Sequence, residues 1–177
     1  MRETGSGSRA EATAGRQADG ADATDLRELY QSVILDHNRA PRNYGEPAKA
    51  DGRAEGTNPL CGDQVTVWVK LDGDRLSDVC FVGSGCAISR ASASMMTAAL
   101  KGRTVAEAVA MSEQFQDRLL SQDAPPWASD PAWGRLAPLS GVSKYPMRVK
   151  CATLAWHAFR AALDSANPGS VPTIAGR

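Results

Sequence analysis

Three of the four cysteines in this chain stand where sulfur can be made reactive. Cys61 lies in "NPLCGD", two residues before Asp63, at the start of a strand-like alternation. Residues i and i+2 of a strand point to one side, so this thiol and carboxylate are expected to converge on one point. Cys86 follows "GSG" and precedes a helical run. A helix N-terminus favours thiolate, and the glycines let backbone approach a bound atom. Cys151 comes shortly after Pro146, at the beginning of the last predicted helix, among Lys144, Arg148 and Lys150. Positive potential there again favours thiolate. Each setting also has a plainer reading: a turn cysteine beside a turn aspartate, a buried helix-cap cysteine, a core cysteine on an amphipathic helix. Cys80, in "RLSDVCFV", alternates with Val79 and Phe81 and reads as a strand residue with no ligand role.

The joint pattern says more than its parts. Zn²⁺ takes four tetrahedral ligands from S, N and O, and Cys61, Asp63, Cys86 and Cys151 supply three sulfurs and an oxygen. The paired C-x-x-C knuckles of a structural zinc site do not occur. A carboxylate among three thiolates is a harder, more easily displaced ligand, suited to a site that opens and exchanges a ligand. The two histidines are weaker candidates. His157 is six residues beyond Cys151, roughly 240° around the same helix, and His37 closes the first predicted helix.

Elements must bring these residues together. "DLRELYQSVILDH" spaces Leu26, Leu29, Tyr30, Val33 and Ile34 as a helix face, with Asp25 and Glu28 in capping-box positions. "QVTVWVKL" and "RLSDVCFV", joined by "DGD", read as a β-hairpin with Val65, Val67, Val69 and Leu71 on one side. "AISRASASMMTAAL" is a helix of small residues and Met. Thr104 and Glu107 form a capping box that opens another through "VAEAVAMSEQFQDRLL". "SQDAPPWASDPAW" is a proline loop that Trp127 and Trp133 pack down, and "VKCATLAWHAFRAAL" is the closing amphipathic helix. Strands first and helices afterwards predict an α+β domain, with helices on one face of a small antiparallel sheet. Residues 24–165 form that domain. Residues 1–23, with no large apolar side chain after Met1, are expected to be a disordered arm, and residues 166–177 a flexible tail.

Bulk properties narrow the function classes. The length favours one domain, and 42% apolar residues suffice for one core. Zero formal net charge gives no electrostatic case for nucleic acid or an anionic membrane. No apolar run is long enough to span a bilayer, and the N-terminus lacks the apolar core of a secretory signal. A cytoplasmic, reducing setting is therefore expected, where cysteines serve metals or catalysis more often than disulfides.

"LYQSVILDHNRAPRNYG", "NPLCGD", "GSGCAISRASASMMT", "LKGRT" and "GVSKYPMRVKCATLAWHA" together resemble the U-type iron–sulfur assembly proteins: IscU, the N-terminal part of NifU, and SufU. The resemblance spans about Leu26 to Ala162. It is nearest the SufU branch, because extra length surrounds "SQDAPPWASDPAWGRLAPLS" and because Lys150 stands where IscU carries a histidine before its last cysteine.

The resemblance implies a three-stranded antiparallel sheet with helices against it, the third strand falling within "PAKADGRAEGTNP". It implies Cys61, Asp63, Cys86 and Cys151 as zinc ligands and a PLP-dependent cysteine desulfurase as sulfur donor. Cys61 would be freed to attack the donor's persulfide, and downstream iron–sulfur assembly proteins would receive the sulfur. Such exchange needs a thiolate. Arg148 and Lys150 would contact the partner or steady negative charge on sulfur, or else be solvated charges at a helix start. The leading expectation is a zinc-dependent sulfurtransferase that acts as acceptor rather than as a free-standing enzyme. A scaffold holding a nascent [2Fe–2S] cluster on the same thiolates is the alternative, and a purely structural zinc domain is a third reading.

Overall fold

The computed structural model describes residues 18–121 and 123–167. Helix α1 spans Ala18–Arg39, and three strands follow: β1 (Gly52–Asn58), β2 (Asp63–Asp72) and β3 (Arg75–Ser84). Then come α2 (Ala87–Leu100), α3 (Val105–Leu120), the short α4 (Pro131–Gly134) and α5 (Pro146–Ala166), with 3-10 turns at Trp127–Ser129 and Ala137–Lys144. The sheet is antiparallel in the order β1-β2-β3, as the α+β expectation required.

The strand missing from the hydrophobic pattern is β1. Its inward positions are Gly52, Ala54 and Gly56, which carry little or no side chain. They are small because α5 lies against them. A Cβ on Gly52 would sit 2.0 Å from the Ala162 carbonyl oxygen, and one on Gly56 would crowd Leu154 and Val65. Close backbone approach thus takes the place of a bulky alternation. On β2 the alternation is plain, with Val65, Val67 and Val69 fully inward. They meet Phe81 and Val79 of β3, and Leu154, Ala155 and Phe159 of α5, in one core. The chain at Asn43–Gly45 pairs with Phe81 of β3 through Gly45 N–H to Phe81 O (2.9 Å) and Phe81 N–H to Asn43 O (3.1 Å). That pairing covers part of an otherwise open strand edge.

Two expectations at the N-terminus need correction. Helix α1 begins at Ala18, so residues 18–23 of the expected disordered arm are helical, and positions 25 and 28 lie inside the helix rather than at its start. The half-buried Tyr30, Val33 and Ile34 pack on the core. A helix nucleated there propagates backward through alanine-rich sequence at small cost per residue. Residues 1–17 of the arm and 168–177 of the tail lie outside the described residues.

The second capping box is present in both directions: Glu107 N–H donates to Thr104 Oγ1 (3.2 Å) and Thr104 N–H to Glu107 Oε2 (2.9 Å). The proline loop is held down by aromatic packing. Trp127 and Trp133 are buried edge to face, and Trp127 meets Phe115, which stacks on Trp156 of α5 at 4.1 Å between centroids. Two hydrogen bonds join α2 to α5. Ser92 Oγ donates to the Ala152 carbonyl (2.5 Å) and accepts from Trp156 Nε1 (3.2 Å). These contacts set the height of Cys151 against the first turn of α2.

Candidate metal centre

Cys61, Asp63 and Cys151 place one donor atom each within 4.8 Å of one another. Asp63 opens β2 opposite Asn58, the last residue of β1, so Cys61 rides on the four-residue turn between two paired strands. The turn is tied to Asn58. Cys61 N–H (3.2 Å) and Gly62 N–H (2.8 Å) donate to its carbonyl, and Leu60 N–H to its Oδ1 (3.3 Å). Gly62 takes φ +69°, the left-handed region that glycine adopts without strain. Cys61 and Asp63 therefore converge through a tight turn and not, as expected, through strand alternation. Cys61 is exposed at the tip, whereas Asp63 and Cys151 are fully buried beneath it.

Cys86 is the N-cap of α2 and accepts from Ser89 N–H at 3.4 Å, as expected for a sulfur at a helix mouth. Its own N–H donates to Asp63 Oδ1 (2.9 Å), and its Sγ lies 3.8 Å from Asp63 Oδ2. Gly85 permits this approach: at φ +148°, a Cβ there would stand 2.2 Å from Asp63 Oδ1. The Cys86 sulfur is thus the fourth donor around Asp63, outside the tighter group of three.

Cys151 departs from expectation. Pro146 occupies the first turn of α5, so Cys151 sits in the second turn, away from the unpaired N–H groups of the helix end. Its thiol is pushed well above the ordinary value, first by burial and then by Asp63, Cys61 and Cys86 beside it. Lys144, Arg148 and Lys150 are exposed and do not offset this. The Cys151 Sγ lies 3.4 Å from Cys61 Sγ and 3.7 Å from the Met147 carbonyl, and Asn58 Nδ2 approaches it at 3.9 Å.

This donor set suits a tetrahedral ion. Around a Zn²⁺ with ordinary bond lengths, sulfurs lie ~3.8 Å apart and sulfur and oxygen ~3.6 Å apart. The observed 3.4 Å (Cys61 to Cys151) and 3.8 Å (Cys86 to Asp63) need only small adjustments. Neither histidine joins the group. His37 Nδ1 is bonded to Ser94 Oγ (2.7 Å), and His157 is exposed on α5. Cys80 stands on the outer face of the sheet, across from Trp68. Asn58 has no role in the sequence reading, although it lies inside a quoted motif, and Gly85 is read there only as room for a bound atom. Asn58 holds the turn and touches the buried sulfur, and Gly85 makes room for the carboxylate.

The model of the NifU-like N-terminal domain matches residues 29–164. The zinc-dependent sulfurtransferase SufU of Bacillus subtilis (strain 168) is 43% identical over 134 residues, covering 76% of this chain and 88% of that protein. The iron–sulfur cluster assembly scaffold protein IscU of Streptococcus pyogenes serotype M1 is 39% identical over 143 residues, 80% of this chain and 87% of that one. Among solved structures, a candidate iron–sulfur cluster assembly scaffold protein for the SUF system of Fervidobacterium islandicum AW-1 superposes with a TM-score of 0.67 at 34% identity, covering 77% of this chain and 98% of that one. No helix among the described residues is long and apolar enough to cross a membrane.

Proposed function

Because the chain belongs to the NifU-like N-terminal domain family, we propose that it serves iron–sulfur cluster assembly as a zinc-dependent sulfur acceptor working with a PLP-dependent cysteine desulfurase in the cytoplasm. One observation carries this reading: of the clustered donors, Cys61 alone is exposed, on the tip of a turn, while Asp63 and Cys151 are buried beneath it. Cys61, Asp63, Cys86 and Cys151 would hold Zn²⁺, which keeps thiols deprotonated at neutral pH while occupying their lone pairs. Asp63 is oriented by the Cys86 N–H and so stays in place when Cys61 moves.

The chain's own step is an exchange at sulfur. The Cys61 thiolate attacks the outer sulfur of the donor's persulfide, a new S–S bond forms on Cys61, and the donor's cysteine leaves as thiolate. The side chains of Arg148 and Lys150 are exposed and make no ion pair among the described residues, so they are free to meet an anionic partner or steady charge on the departing sulfur. Downstream assembly proteins would then take the sulfur. The test is stimulation of a desulfurase by the chain. Cys61→Ser should abolish it while the zinc-binding chain stays folded, and unchanged stimulation would rule out Cys61 as acceptor.

A scaffold role is the second reading. The relative from Streptococcus pyogenes is named a scaffold, and three cysteines with one carboxylate are a fitting donor set for [2Fe–2S]. Lys150 in place of an imidazole favours zinc. Metal analysis of protein purified without oxygen, measuring zinc, iron and labile sulfide together, decides between them. A purely structural zinc role is disfavoured by the core, which lies between sheet and helices and is complete without the site.

A further inference from the structure

Resting on that acceptor reading, we propose that Cys151 is the resolving thiol for sulfur carried on Cys61. Its sulfur attacks Cys61 Sγ within the persulfide, a Cys61–Cys151 disulfide forms, and the outer sulfur leaves as hydrosulfide. Atoms and electrons balance. The sulfane sulfur is reduced to sulfide, two thiols are oxidised to one disulfide, and the Cys151 proton leaves on the hydrosulfide.

The geometry singles out this pair. Cys151 Sγ lies 3.4 Å from Cys61 Sγ, the closest approach of two sulfurs in the cluster that the structure records. Cys86 instead faces Asp63, with its sulfur 3.8 Å from Oδ2, and stands outside the compact group. Asn58 Nδ2, at 3.9 Å from Cys151 Sγ, steadies the charge that develops on sulfur.

Accessibility orders the events. A donor from solution reaches the exposed Cys61 and not the fully buried Cys151. Acceptance and resolution are therefore assigned to different thiols before any partner binds. Attack on the outer sulfur would only move the persulfide to Cys151. Attack on Cys61 Sγ expels hydrosulfide, the anion of a stronger acid than a cysteine thiol and so the faster leaving group. The disulfide consumes two of the metal's donor atoms, and a dithiol reductant is the reagent class that restores them.

The experiment uses the full-length zinc-loaded protein without oxygen, given one equivalent of glutathione persulfide. Sulfide release, free-thiol count and mass mapping of proteolytic peptides are followed together. The expected result is one sulfide per chain and a Cys61–Cys151 cross-linked peptide. Cys151→Ser should retain the extra sulfur on Cys61 and release sulfide at least about tenfold more slowly. Cys86→Ser also removes a metal donor but leaves the pair, and should still form the cross-link, which separates ligand loss from loss of the resolving thiol. Wild-type protein that holds sulfur on Cys61 without releasing sulfide, or that links Cys61 to Cys86, overturns the resolving role alone. A chain whose Cys61 never gains sulfur overturns the acceptor reading and this inference with it.

Discussion

Replacing Gly85 with alanine attacks the site at its tightest point. Gly85 adopts φ +148°, and a Cβ there would stand 2.2 Å from Asp63 Oδ1 and 2.8 Å from the carboxylate carbon. A non-glycine residue in that region costs about 1–3 kcal/mol. The carboxylate must also retreat, breaking its bond from Cys86 N–H. A hydrogen bond to a charged group contributes about 1.5–3 kcal/mol. The combined loss is about 4 kcal/mol, which for a domain of this size lowers Tm by about 8–16 °C. Because Asp63 and the α2 N-terminus would separate, metal affinity should fall about 10- to 100-fold. Gly62→Ala is the internal control. Its φ is +69° and a Cβ there meets nothing within 4 Å, so only backbone strain of about 1 kcal/mol is added. Thermal unfolding by circular dichroism with and without chelator, beside a competitive zinc titration, gives both numbers. Equal losses for Gly85→Ala and Gly62→Ala would refute the claim that Gly85 exists to admit the Asp63 carboxylate.

Three further perturbations probe the support around the site. Ser92→Ala strips two buried hydrogen bonds that tie α2 to α5, leaving Trp156 Nε1 without its partner and the Ala152 carbonyl with its helical bond alone. About 2–3 kcal/mol should be lost in urea titration, with weaker zinc binding because Cys151 shifts. Thr104→Ala removes the cap of α3 and should cost about 1 kcal/mol by the same measurement, with zinc affinity unchanged. His37 Nδ1 is hydrogen-bonded with Ser94 Oγ, which also accepts the Arg42 N–H, and burial holds its imidazole below the ordinary value, with Arg42 lowering it further and Asp36 opposing. A depressed pKa gives stability that is present above the unfolded value of about 6.5 and declines as pH falls toward the folded one. Metal-free protein should thus be less stable at pH 5.5 than at pH 7.5, and His37→Gln should flatten that difference if His37 is its source.

Legibility in the sequence followed the kind of signal each element carried. Val65, Val67 and Val69 announce β2 by bulk and alternation, and Thr104 with Glu107 announces α3 by a local side-chain pattern. Strand β1 was hidden because its inward residues are glycine and alanine, chosen by the approach of α5 and not by hydrophobicity. The start of α1 was misplaced because composition reports whether a face can be buried, not how far a nucleated helix runs back.

The site divides in the same way. The donor types, the glycines beside Cys61 and Cys86, and a family-specific spacing are covalent facts of the chain, and they single out Cys61, Asp63, Cys86 and Cys151 as one candidate set. Tertiary structure decided their inequality. Cys151 looked like a thiol activated by nearby cations. It is instead buried in the second turn of α5, where that burial raises its pKa and its sulfur lies 3.4 Å from Cys61 Sγ. The reason is physical: neighbouring residues in sequence fix the charges near a group, but burial depends on which distant elements close over it. Here those elements are the Asn58–Asp63 turn and the first turn of α2.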